Sequence, residues 1–254
     1  MVKLKDILSP SFRDFGVKLP SDEWHPEEAT LWYRCQSTES QFCKAVVGCG
    51  YLTFDQMVYA ASRYRLGISK KGGVIFWQID REELPHDGKV VYYDPDCHRS
   101  KQKKQHPIWV SFILAIRAGL KKGQYASSHC LFGLHLLRVV GGDVAVVEAE
   151  KTAIILSVHY PQYIWLASGG LTELQADKFR PLRGHKVVLF PDTDPDGRAY
   201  RQWFNIAQEV MLSPFWEDSP PIYVSPLLEL HATAEQKACK IDLIDFLFES
   251  GTSL

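Results

Sequence analysis

From position 141 onward the chain repeats one pattern. A short, continuously apolar run is broken by glycine or carboxylates, and a stretch with helically spaced apolar positions follows. The runs are DVAVV, QYIWLA, HKVVLF and PIYV, and the helical stretches include EKTAIILSVHY and RAYRQWFNIAQEVM. Strands that are apolar on both faces and alternate with helices predict a parallel sheet covered on both sides. Residues 141–225 are therefore expected to form a small α/β domain.

Upstream the pattern differs. YLTFDQMVYAASRYRLG puts Leu52, Met57, Val58 and Ala61 at roughly helical spacing, with Asp55 early and Gly67 past the end. GGVIFWQID and GKVVYYDP read as an antiparallel strand pair separated by the turn-like ELPHDG. IWVSFILAIRAGL reads as a helix, and CLFGLHLLRVV is apolar without a decisive period. The expected organisation is a mixed, partly helical region over 1–60, a basic α+β subdomain over 61–140, the α/β domain over 141–225 and a C-terminal helical segment over 226–254. Trp203 with Phe204, and Ile241 with Ile244, Phe246 and Leu247, read as core stripes of helices.

At 254 residues, 46% hydrophobic and 23% charged, the chain can bury a substantial core. No apolar run approaches the ~18 residues of a membrane helix, and MVKLKDILSPSF has no signal-peptide core, so a cytoplasmic protein without membrane contact is expected. Six cysteines include no CxxC pair. Cys35, Cys43 and Cys49 are close in sequence, which leaves a metal site open beside the plainer reading of reduced, mostly buried thiols. The net charge is −1, yet residues 61–125 carry thirteen Lys and Arg against six Asp and Glu, a local +7 against −8 elsewhere. Such a basic half suits a polyanion.

The most informative stretch is VVLFPDTDPDGRAY, where Asp192, Asp194 and Asp196 occupy alternate positions directly after a buried run. Like charges so placed repel increasingly as solvent is excluded, which points to a bound cation. In an open parallel sheet, ligands sit outside the carboxyl ends of the strands. Glu148 stands at that end of the VAVV run, and Asp192 and Asp194 at that end of KVVLF. If those strands are neighbours, the carboxylates share one crevice suited to Mg²⁺, with Mn²⁺ as a substitute. Phosphoryl transfer follows as the reaction class. Plainer readings stand beside this. Asp196 before Gly197 fits an Asx turn or helix cap, and Glu148 fits a carboxylate favoured at a helix start. An EF-hand is disfavoured because its twelfth position is Trp203 and a strand precedes it.

A buried strand ending in Glu148, a middle strand ending in glycine and a strand ending in DxDxxG, each followed by a helix, resemble the toprim domain of bacterial primases, topoisomerases and related nucleases. On that likeness Glu148 matches the motif glutamate, Asp192 and Asp194 the DxD pair, and Gly197 the following glycine, while Ala149 replaces the glycine after the glutamate. RYRLGISKKGGVIFWQID with GKVVYYDPDCHRSKQKK, VVEAEKTAII and the closing KIDLIDFLFE resemble the corresponding parts of primases of plasmids, phages and other mobile elements. The resemblance implies a toprim α/β domain with a short, mostly parallel sheet flanked by helices, preceded by a basic α+β primase-type subdomain. It implies DNA primer synthesis in mobile-element replication, from nucleoside triphosphates on single-stranded DNA. The metal ligands would be Glu148, Asp192, Asp194 and Asp196, with Glu148, Asp192 and Asp194 catalytic and Glu148 as ligand or general base. A toprim nuclease and a non-catalytic nucleic-acid-binding protein remain the alternatives.

For nucleic acid, Lys70 and Lys71 lie in a glycine-flanked turn and Arg99, Lys101, Lys103 and Lys104 form a cationic loop. Phe76, Trp77, Tyr92 and Tyr93 are placed either to stack bases or to fill the core. No GxxxxGK[ST], GxSxG or HExxH motif is present, which removes a helicase motor and the common serine hydrolase and zinc protease chemistries. The resemblance to primases implies a separate helicase or zinc-binding module as a partner, the alternative being that residues 1–60 do something different.

Overall fold

The computed structural model describes residues 37–101, 107–121, 129–138 and 142–250. The chain divides into two compact units, Met1–Cys130 and Leu131–Leu254. Among the described residues no helix is long and apolar enough to cross a membrane.

In the first unit, helices α1 (Gln41–Gly48) and α2 (Phe54–Arg63) precede the strands β1 (Gly67–Ile68), β2 (Val74–Ile79), β3 (Pro85–Val91) and β4 (Ile108–Trp109), with α3 (Val110–Arg117) after them. The strands pair antiparallel in sequence order. Both leading helices start at hydroxyl caps: Ser40 Oγ accepts from the Cys43 N–H, and Thr53 forms a reciprocal capping box with Gln56. The α2 helix ends at Arg63 with Gly67 beyond it as expected, but the glycine is not the residue that turns the chain. Arg65 takes the left-handed conformation at φ 53°, and Gly67 already belongs to β1.

The ELPHDG stretch is also only partly a turn. Asp80 Oδ1 accepts from the Glu82 and Leu84 N–H groups, closing the turn over residues 80–84, and Pro85 already begins β3. Gly88 lies within the strand, opposite Trp77. A Cβ there would meet Ile75, Trp77 and Val110 side-chain atoms at 2.8 Å, so packing rather than turning requires the glycine. Ile75, Trp77 and Ile79 pack with Val90, Val110, Leu114 and Ala115. Phe76 meets Phe42 and Tyr93 on rings 5.4 and 6.4 Å away, and Phe76, Trp77 and Tyr93 are all buried. These three are core residues and offer no face to a base; Tyr92 is half-buried against the core cluster.

The second unit contains β5 (Asp143–Val147), α4 (Glu150–His159), β6 (Tyr163–Ala167), β7 (Val187–Phe190), α5 (Arg198–Met211), β8 (Ile222–Val224), α6 (Leu227–His231), α7 (Ala234–Cys239) and α8 (Leu243–Ser250). Its sheet is parallel throughout, in the order β6-β5-β7-β8. This is the α/β architecture that the alternating runs predict. One connection departs from expectation: between β6 and β7 the chain makes 3₁₀ turns, Leu171–Glu173 and Ala176–Leu182, the second containing Pro181, instead of an α-helix. Helix α4 is buried from Glu150 through Ser157, charged residues included. Helix α5 buries only the stripe Ala199, Trp203, Ala207 and Val210. Phe204 therefore faces outward, stacked on Tyr200, rather than joining Trp203 in the core. Ile241, Ile244, Phe246 and Leu247 are buried as the sequence indicates.

Candidate functional site

Neighbouring parallel strands bring the first two carboxylates together. β5 pairs with β7, with Val147 opposite Phe190, so both strands end at the same edge. Glu148 is the first residue beyond β5, and Asp192 lies two residues beyond β7. The Asp192 N–H donates to Glu148 Oε1 at 3.3 Å. Burial raises the Asp192 carboxyl well above the usual carboxylate range. The negative charges of Glu148, Asp242 and Asp245 act in the same direction, and Lys151 opposes them. Ala149, which replaces the expected glycine, sits in extended backbone at φ −100°, a conformation open to any residue.

Asp194 is engaged differently. Its Oδ1 accepts from the N–H groups of Asp196 and Arg198 at 3.0 and 3.1 Å, and its Oδ2 from Ala199 at 2.8 Å. Burial works to raise this carboxyl, but those three backbone donors outweigh it and hold it below its ordinary value. The capping role that the sequence suggests for Asp196 thus falls to Asp194. Asp196 is exposed at the turn and contributes its N–H rather than its carboxylate. Gly197, at φ 62°, provides the left-handed step into α5. Among the described residues no three His, Cys, Asp or Glu side chains are grouped closely enough to hold a metal ion by themselves.

Three charged residues that act on Asp192, namely Lys151, Asp242 and Asp245, escape sequence reading. The buried Lys151 Nζ lies 3.2 Å from Asp242 Oδ2 and 3.7 Å from Asp245 Oδ1, and Thr152 Oγ1 donates to Asp242 Oδ2 at 3.1 Å. Asp242 and Asp245 also cap α8 reciprocally: the Asp245 N–H reaches Asp242 Oδ1 at 3.0 Å, and the Asp242 N–H reaches Asp245 Oδ2 at 3.3 Å. Their spacing in KIDLID announces a helix start. Nothing local announces an ammonium ninety residues upstream. The loop carrying Asp192 is tied to the same segment, since the Thr193 N–H donates to the Ile241 carbonyl at 3.4 Å.

In the first unit, Lys70 and Lys71 are exposed on the β1–β2 turn, and Arg99 and Lys101 are exposed on the loop after β3. Val74 pairs with Val91, so the turn before β2 and the loop after β3 emerge at one end of the sheet. Backbone bonds from Asp94 N to His98 O and from Ser100 N to Tyr92 O hold that loop at 2.9 Å each. Lys103 and Lys104 lie outside the described residues. So does Cys35, while Cys43 is buried and Cys49 is exposed with its thiol toward the Pro95 carbonyl.

The chain belongs to the family of the domain of unknown function DUF6371, whose model matches residues 40–193. No curated protein matches it in sequence. Among solved structures it is similar to the DnaG primase catalytic domain bound to ssDNA, with 14% identity and a TM-score of 0.45 over 88% of this chain and 82% of that one. It is also similar to the primase fragment of the bacteriophage T7 primase-helicase protein, with 16% identity and a TM-score of 0.39 over 65% of this chain. The chain spans 59% of that T7 fragment.

Proposed function

We propose that the chain is a toprim-type, primase-like nucleotidyltransferase that acts on single-stranded DNA with Mg²⁺, for which Mn²⁺ can substitute. The observation that carries this reading is the junction of Glu148 and Asp192 across β5 and β7, at the carboxyl edge of a parallel sheet. The donor chemistry fits the ion. Two hard carboxylates stand together, and burial with the surrounding negative charge raises the Asp192 carboxyl well above its ordinary value. Mg²⁺ characteristically takes one or two protein carboxylates and completes its shell with water and substrate phosphates, so it needs no closed cage of side chains.

Glu148 and Asp192 would hold the ion, and Asp194 would act chiefly by fixing the loop through its cap on α5. Bound there, Mg²⁺ would neutralise charge on the nucleotide triphosphate. The reaction joins a primer 3′ oxygen to the α-phosphorus of the incoming nucleotide, breaks the bond to the β-phosphate and releases pyrophosphate. Lys70, Lys71, Arg99, Lys101 and the neighbouring Lys103 and Lys104 would bind template phosphates without reading sequence.

The test incubates the full chain with single-stranded template, labelled nucleotides and Mg²⁺ or Mn²⁺. Extension products support the proposal; shortened template indicates a nuclease, and a gel shift alone a binding protein. Glu148→Gln and Asp192→Asn abolish synthesis and spare the shift. Unchanged synthesis in both variants overturns the assignment.

A further inference from the structure

Three segments far apart in sequence close a ring around the carboxylate pair. Asp192 reaches Glu148 through its N–H, Thr193 reaches the Ile241 carbonyl, and Asp242 takes up both the Thr152 hydroxyl and the Lys151 ammonium, which returns to the segment beginning at Glu148. Lys151 is the cation within this ring, and a buried ammonium must remain paired. Four carboxylates bear on it or on its neighbour Asp192: Glu148, Asp192, Asp242 and Asp245.

Resting on the reading of Glu148 and Asp192 as a cation-binding pair, we propose that Asp242 and Asp245 are positioning residues. They draw the Lys151 ammonium onto the start of α8, so the charge on α8 sets how tightly Glu148 and Asp192 take a divalent ion. With both α8 carboxylates present, Lys151 is divided between them. When Asp242 is neutralised, only Asp245 still holds the ammonium on α8, so less of its positive charge is offset and more of it opposes a divalent ion at Glu148 and Asp192. When Lys151 is neutralised, that opposition disappears.

Mn²⁺ titration of the full chain, read by the electron paramagnetic resonance of the free ion, tests this without any turnover. Asp242→Asn preserves a good helix cap and nearly the same shape, which limits its effect on folding. Thermal unfolding of each variant identifies any that do not fold. The expected result is Mn²⁺ affinity about tenfold weaker in Asp242→Asn, the scale of one unit of electrostatic displacement. Lys151→Met binds more tightly than the parent, Lys151→Arg binds like it, and Lys151→Met/Asp242→Asn returns toward it. Asp245→Asn weakens binding in the same direction as Asp242→Asn and replaces it if that variant fails to fold. A purely structural clamp would weaken binding in Lys151→Met as well, without recovery in the double variant, and that pattern overturns the inference. Parent protein that takes up no Mn²⁺ removes the Glu148–Asp192 reading together with this one. Parent that binds while Asp242→Asn and Asp245→Asn are indifferent removes this one alone.

Discussion

Asp192 and Asp194 are two residues apart and titrate in opposite directions, because one faces burial and other carboxylates while the other faces three backbone donors. The signs follow from linkage. The folded chain holds the Asp192 proton to higher pH than the unfolded chain does, so stability falls as pH rises from the ordinary value of 3.8 through the raised one. Asp194 stabilises the fold above 3.8 and loses that contribution as pH falls through its lowered value. Urea unfolding across pH should therefore show Asp192→Asn more stable than the parent at neutral pH, with the decline above 3.8 reduced. Glu148→Gln should move the Asp192 carboxyl downward in a carbon-13 shift titration, because it removes the strongest neighbouring charge. An Asp192 titration unmoved by Glu148→Gln would mean that the two side chains do not interact in solution.

At the scale of elements, the cap on α5 separates two residues that sequence treats alike. Asp194→Ala removes the acceptor for three N–H groups and should cost about 1–2 kcal/mol in denaturant unfolding. Asp196→Ala should stay within about 0.5 kcal/mol, as expected of an exposed position without a structural bond from its side chain. Gly88→Ala tests strand packing in the other unit. A Cβ at 2.8 Å from Ile75, Trp77 and Val110 is overpacking, with an expected cost of about 1–3 kcal/mol. These elements also mark what the sequence makes legible. The runs DVAVV, YIWLA and VVLF announce the parallel strands because a short segment apolar on both faces must be covered on both, and their ends locate Glu148 and Asp192. Which of three alternating aspartates caps the helix is not legible, because each is competent and only the path of the backbone chooses. Gly88 reads locally as a turn residue because its reason lies across the sheet, in Trp77, and beyond it in Val110. Asp242, Asp245 and Lys151 are hidden similarly, since their relation exists only after α8 meets the start of α4.

At the scale of the whole molecule, the charge asymmetry separates the two roles proposed for the chain. Residues 61–125 hold the local +7, and Lys70, Lys71, Arg99 and Lys101 emerge at one end of the antiparallel sheet; the carboxylate pair belongs to the other compact unit. Phosphate binding by exposed cations releases counterions, so log affinity for single-stranded DNA falls with log salt at a slope of about −0.7 per phosphate neutralised. Replacing those four cations with alanine should weaken binding at low salt and make the slope shallower by up to about 3. Asp192→Asn, in contrast, should leave that slope unchanged in fluorescence-anisotropy titrations without metal, because it alters no exposed cation of the basic unit. An unaltered slope in the four-cation variant would exclude this end of the sheet as the track for nucleic acid, whatever becomes of the carboxylate pair. An altered slope in Asp192→Asn would show instead that the carboxylates bear directly on phosphate binding, and that the two roles are not separable by unit.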